Sequence, residues 1–192
     1  MSDPAGVDPY VYSGTRILKN RFSIVDSATL DAVERSLVAQ RIAEGVPNGK
    51  FDLAHLQAIH RHLFRDIYDW AGEIRTVEIS KGTQQFQFRQ FIPTGMADVH
   101  HRLTRARFLV GLKRDEYARE AAVIVGDINY IHPFREGNGR TQMQYLKLLS
   151  EQAKHPVDLA RIDSSRWIEA SMVSHAADYS LMATLISEAI AP

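Results

Sequence analysis

The chain has 192 residues, 23 Lys and Arg against 23 Asp and Glu, 45% apolar residues and no cysteine. That mixture belongs to an ordinary globular domain and excludes bulk disorder, while the balanced charge gives no general pull toward nucleic acid or an anionic membrane. Without cysteine there is neither a disulfide framework nor a thiolate metal site.

The opening MSDPAGVDPYVYSG lacks a basic and an apolar signal region, and no run long enough to span a membrane follows, which predicts a cytoplasmic, bacterial-type protein. A helical pattern covers about residues 29–44. Apolar residues at Leu53, Leu56, Ile59, Leu63, Phe64 and Ile67 then mark one face of a second helix. Residues 74–92 alternate instead, with Val77 and Ile79 before Lys81-Gly82-Thr83 and Phe86 and Phe88 after it. This spacing predicts a β-hairpin at 76–92, which must lean on helices because a hairpin alone is marginal. Trp70 is expected to pack between helix and hairpin.

Helical periodicity resumes at 96–111 and again from Tyr117 through Ala121, Ile124, Val125, Ile128 and Ile131. Pro133 disfavours helical geometry at His132 and should end that helix. Further helices are predicted at 139–154, 164–174 and 178–190, the last two capped by Ser164 and Asp178. The expected fold is all-α, a single domain over 1–192 in the form of a helical bundle with one small hairpin.

Between two of these helices lies Ile131-His132-Pro133-Phe134-Arg135-Glu136-Gly137-Asn138-Gly139-Arg140. A helix starting near Asn138 would offer unpaired N–H groups and a positive dipole end, which suit an anion. Gly137 and Gly139 flank Asn138 and allow close backbone approach to a phosphate. Arg140 can fork hydrogen bonds onto phosphate oxygens, Glu136 is a hard ligand for Mg²⁺, and His132 is a candidate general base. Each part has an ordinary reading as well: a structural histidine before proline, a Gly-Asn-Gly turn, a surface Glu136–Arg140 pair. Their joint occurrence within nine residues points to metal-assisted chemistry at phosphorus. The other histidines do not pair as ligands, since His60 and His62 lie on different helix faces and His100 and His101 are adjacent. Tyr12 and Ser13 have no usefully spaced base.

HPFREGNGR resembles the signature of the Fic family, HxFx(D/E)GNGRxxR. Similar, too, are Tyr12-Ser13-Gly14 with Leu18-Lys19-Asn20, Ile59 to Phe64, and Asp69 to Arg75, so the resemblance runs over nearly the whole chain. It implies the Fic fold, with the motif at 132–143, and a protein adenylyltransferase using ATP and Mg²⁺ on a Ser, Thr or Tyr hydroxyl. By that resemblance His132 is the catalytic base, Glu136 the metal ligand, and Gly137, Asn138, Gly139 and Arg140 the nucleotide-binding residues. The Asn138 side chain would meet the α-phosphate, Arg140 the β-phosphate, and Phe134 would anchor the loop. The hairpin would be the target-positioning flap, through Lys81, Gly82 and Phe86.

One departure is Met143, which stands where the family's second motif arginine would hold the γ-phosphate. It implies weaker ATP binding, a different nucleotide or phosphate-containing donor, or a catalytically weak binding module; alternatively Met143 joins Leu146 and Leu149 on a buried face. The family's inhibitory pattern, (S/T)xxxE(G/N), is nearly met by Thr184 to Ala189 in the last helix, making Glu188 the candidate inhibitory residue. The other source of such a helix is a separate small antitoxin, which would make this a toxin-like enzyme. Gyrase and topoisomerase IV subunits are targets the family implies, with no direct nucleic-acid or membrane partner.

Overall fold

The computed structural model describes residues 8–82 and 84–191. Among these, the seven α-helices are α1 (Ser27–Ala43), α2 (Leu53–Phe64), α3 (Ile92–Arg105), α4 (Arg114–Ile131), α5 (Asn138–Gln152), α6 (Ser164–Val173) and α7 (Ser180–Ala189). A two-stranded antiparallel sheet, β1 (Ser80–Lys81) and β2 (Gln84–Gln85), completes the expected all-α Fic-like bundle with one hairpin. No helix among the described residues is long and apolar enough to cross a membrane. The first seven residues of the opening segment, Thr83 of the expected turn and the terminal Pro192 lie outside the described residues.

α4 is the central element, packed against α7, α3 and α5, and its periodic residues Tyr117, Ala121, Ile124, Val125, Ile128 and Ile131 are all buried. Asp26 and Asp52 start α1 and α2 by accepting the N–H groups of Thr29 and His55 at 2.8 Å each. Two expected caps move by one residue. α6 is capped by Asp163, whose carboxylate takes the Arg166 N–H, so Ser164 is its first helical residue. Asp178 instead binds the Ser180 N–H and hydroxyl from one position before the cap, Tyr179.

Two expected elements come out shorter. The helix expected over 96–111 begins earlier, at Ile92, and stops at Arg105. Arg107, Phe108 and Leu109 then turn through φ of 50°, 53° and 63°, a left-handed path that no α-helix can follow but that buries Leu109. Among the described residues of the hairpin the pairs are Ser80↔Gln85 and Lys81↔Gln84, with the Phe86 N–H donating to Ile79 O at 3.3 Å beyond them. Past that point the Gln87 N–H turns to Tyr130 O on α4 at 3.0 Å, and the Arg89 N–H turns to Glu78. Phe86 and Phe88 therefore part company: Phe86 is buried and Phe88 is 53% exposed.

The ring partners of Trp70 lie in the N-terminal segment, in α2 and just after it. Trp70 stacks on Tyr68 at 4.4 Å, meets Tyr10 edge-on at 5.4 Å and lies 5.9 Å from the His60 ring, joining the N-terminal segment to α2.

Candidate active site

α4 ends where α5 is about to begin, and the ten-residue motif fills the gap. His132 closes α4 in the left-handed conformation, φ 47° and ψ 65°, a position usually left to glycine. Three bonds hold it there. Its N–H donates to Ile128 O at 3.0 Å, its Nδ1–H to Asn129 O at 2.9 Å, and its own carbonyl accepts from Arg75 Nε at 2.9 Å. Because a carbonyl only accepts, the imidazole proton sits on Nδ1 and Nε2 is left as the acceptor. Burial pushes His132 down to about 4, helped by the charges of Arg75, His175 and Lys81 and opposed by the bond to Asn129 O. The ring is thus neutral near pH 7, as a proton acceptor must be.

Phe134 is fully buried and stacks on His60 at 4.0 Å. His60 fastens the loop to α2: Nδ1 accepts the Gly72 N–H at 2.8 Å, and Nε2–H donates to Glu136 O at 2.9 Å. It is structural, and His62 likewise holds Arg41 O through Nε2 at 2.8 Å; among the described residues no group of three His, Asp or Glu could hold a metal. Asn138 is 3% exposed, and its amide closes the loop on itself: Oδ1 accepts the Phe134 N–H at 3.0 Å and Nδ2–H donates to Phe134 O at 2.8 Å. Each of the two amide atoms keeps one further hydrogen-bonding site, and Asn138 also lines the cavity beside His132. What it fixes is the shape of the turn.

Gly137 caps α5 at φ +80°, and a Cβ there would lie 2.4 Å from the Phe64 ring. Only glycine fits. Gly139 is different, because a Cβ on it would meet nothing within 4 Å. The first turn of α5, with the backbone N–H groups of Asn138, Gly139 and Arg140 lacking helical partners, thus opens onto free space. Two cavities meet at this point. One, of about 580 Å³, is lined by His132, Lys81, Phe86, Glu136, Gly139 and Trp167; the other, of about 460 Å³, by Glu136, Gly139, Arg140, Met143, Trp167 and Ile168.

Glu136 stands between them, its side chain 48% exposed, with Oε1 accepting the Gly137 N–H at 2.8 Å and lying 3.6 Å from Arg140. A single half-exposed carboxylate beside an anion-binding helix start fits Mg²⁺, which is commonly held by one or two carboxylates together with substrate phosphates. Arg140 is one-third exposed, packs over the Phe64 ring at 4.7 Å, and pairs with Glu34 of α1 at 2.6 Å. Met143 joins an apolar wall with Ile42, Leu159 and Ile162 rather than the deep core.

The hairpin lies over the larger cavity. Phe86 stacks on the His132 ring at 3.8 Å and touches His175 edge-on at 5.2 Å, Lys81 reaches the cavity, and Gly82 sits at the exposed tip. Gln84 Nε2 donates to Met172 O at 3.1 Å, linking the hairpin to α6.

Glu188 is not brought to this site. On α7 it pairs with Arg166 at 3.0 Å, both side chains about half exposed, and lines neither cavity.

Several contributors escape sequence reasoning. Glu34 and His175 carry no local signal, and Arg75, though in a family-like segment, shows no role there, because each reaches the site from a separate element. Asp8 likewise reaches in to hold Arg135 at 2.8 Å.

The chain is similar in sequence and in fold to known proteins. The probable protein adenylyltransferase y4lH of Sinorhizobium fredii is 35% identical over 184 residues, covering 95% of this chain and 96% of the relative. The probable protein adenylyltransferase Fic of Escherichia coli is 30% identical over 194 residues, covering 99% and 96%. The BepC protein of Bartonella tribocorum, a VirB-translocated effector solved with bound AMPPNP, superposes with a TM-score of 0.87 at 26% identity, over 95% of this chain and 96% of that one. Nucleotidyl transfer is the activity those relatives' names state. The Fic/DOC family model matches residues 50–149, which take in the hairpin, the motif loop and most of α5; the chain belongs to the Fic/DOC family.

Proposed function

We propose that this chain is a protein adenylyltransferase that moves AMP from ATP to a Ser, Thr or Tyr hydroxyl of a target protein. The observation that carries the reading is the pairing, in one cavity, of a neutral His132 with an available Nε2 and the open first turn of α5. His132 Nε2 takes the proton of the target hydroxyl, whose oxygen bonds to the α-phosphorus as the bond to the departing pyrophosphate breaks. Backbone N–H groups at Asn138, Gly139 and Arg140, with the α5 dipole, bind the phosphate chain, and the Arg140 guanidinium takes the β-phosphate. Mg²⁺, held by Glu136, would supply charge neutralisation on the phosphates. Such transfer asks mainly for positioning and electrostatics, which is what these residues offer. The hairpin, with Lys81, Gly82 and Phe86, would align an extended target segment by strand addition.

The AMPPNP in the Bartonella relative supports a nucleoside triphosphate donor. Met143 favours a modified preference, since an uncharged thioether cannot grip a γ-phosphate as an arginine would. Control by a separate antitoxin is the better-supported regulation, because Glu188 is engaged with Arg166 away from Arg140. Incubation with α-labelled ATP, Mg²⁺ and bacterial lysate, gyrase and topoisomerase IV subunits included, tests the activity. Label on protein that vanishes in His132→Ala supports it. Absence of label with every nucleoside triphosphate supplied refutes it.

A further inference from the structure

α1 buries three residues along one stripe, Leu30, Glu34 and Val38, and the middle one is a carboxylate. Glu34 is 8% exposed, a location that is unfavourable for a charge unless partners compensate it. Both of its oxygens have one. Oε1 lies 2.6 Å from Arg140 Nη2, and Oε2 accepts the hydroxyl of Tyr68, itself 2% exposed. Burial first, and then this bond to Glu34, raises the Tyr68 hydroxyl well above its ordinary pKa, so it remains a donor. The Phe64 ring lies beneath the guanidinium at 4.7 Å. Arg140 is thus held on one edge and one face before any ligand arrives, at the meeting point of the Met143-lined cavity and a smaller one of about 320 Å³ lined by Glu34 and Tyr68.

We propose that Glu34, anchored by the Tyr68 hydroxyl, is a positioning residue for nucleotide binding, fixing the Arg140 guanidinium for a β-phosphate. This rests on the reading that Arg140 meets that phosphate. A guanidinium carries five N–H donors in a rigid plane, so one edge can stay on Glu34 while the rest face the anion. Were Arg140 to leave Glu34 and follow the ligand, a buried carboxylate would lose its cation, which opposes that movement. Glu34 and the phosphate therefore share the arginine. An arginine ordered beforehand loses less freedom on binding than one recruited from solvent.

The experiment measures ADP and AMP dissociation constants by calorimetry on the full chain. Its variants are Glu34→Gln, Glu34→Asp, Tyr68→Phe and Arg140→Ala, with melting temperatures alongside. ADP has a β-phosphate and AMP has none, so a positioning role predicts a selective loss. Glu34→Gln should weaken ADP by about tenfold and leave AMP unchanged, as removal of one charged hydrogen-bond partner implies. Tyr68→Phe should act in the same direction but less, and Glu34→Asp should recover part of the loss. If Glu34→Gln does not fold, Tyr68→Phe decides, since it removes only a hydroxyl. An ADP-to-AMP ratio unchanged from wild type, or tighter ADP binding, in both variants overturns the role. The Arg140→Ala arm separates the two layers. If it leaves the ratio unchanged, the assignment of Arg140 to the β-phosphate fails. If it alone shifts the ratio, only the role of Glu34 fails.

Discussion

Arg75 offers the sharpest test of how the site is held together, because it touches no cavity yet fastens three segments. Its side chain is fully buried. Nε donates to His132 O at 2.9 Å, Nη1 to Val77 O at 2.8 Å, and Nη2 to Gln87 O. One guanidinium therefore clamps the end of α4 to both feet of the hairpin. Replacing it with methionine preserves much of the volume but leaves these three carbonyls without donors. At the low end of the desolvation penalty for each, the loss is about 3–5 kcal/mol. Against a total stability of roughly 5–15 kcal/mol, that should leave a folded but fragile protein. For a domain of this size the melting temperature should drop by roughly 10 °C. Arg75→Lys should fall between, since one ammonium cannot reach carbonyls on several sides. Calorimetric melting with urea titration measures the loss, and the acid limb of activity reports on His132, whose pKa Arg75 helps to depress. A melting temperature within about 3 °C of wild type for Arg75→Met would refute the clamp.

Proton linkage gives a second expectation. Burial pushes both His60 and His132 down from 6.5 to about 4, so the unfolded chain binds protons that the folded chain refuses. Stability is accordingly complete above pH 6.5 and declines as pH falls toward 4, with His60 alone contributing about 2 kcal/mol of loss by pH 5. Equal urea midpoints at pH 7 and pH 5 would contradict this. The acid limb of kcat/KM should likewise sit near 4 rather than 6.5, because the base becomes protonated only there. Gly137→Ala should cost about 3 kcal/mol, through the left-handed φ and the clash with Phe64. Gly139→Ala should melt like wild type while binding nucleotide more weakly, because its methyl enters only open space; normal binding in that variant would place the phosphate elsewhere. Glu188→Ala should leave the adenylylation rate unchanged and stability within about 1 kcal/mol, as expected for an exposed pair. A rise in rate would restore α7 as the inhibitor.

The contrast between α4 and α1 shows what the sequence could carry. Along α4 the buried positions Tyr117, Ala121, Ile124, Val125, Ile128 and Ile131 repeat with the helical period, and the end of the helix is written in His132-Pro133, so element, face and boundary are all local. The nine-residue motif is local too, and its glycines announce a turn whose reason, the Phe64 ring against Gly137, appears only in three dimensions. Glu34 sits on a weakly patterned helix and looks like any surface glutamate until Arg140 and Tyr68 arrive from distant elements. His60 is similar: it lies 76 residues from Glu136, whose carbonyl it holds. Asn138 carries a further task that the motif does not spell out. A short amide at a turn competes for neighbouring backbone groups, and here it closes on Phe134 at both ends. The hairpin fell short because its outer residues had better partners than each other, Gln87 on Tyr130 and Arg89 on Glu78. In this molecule the groups proposed to meet the nucleotide are coded contiguously, whereas those that hold them still come from separate elements. Substitution at Arg75, Glu34 or His60 should therefore loosen the geometry of the site while leaving its motif intact.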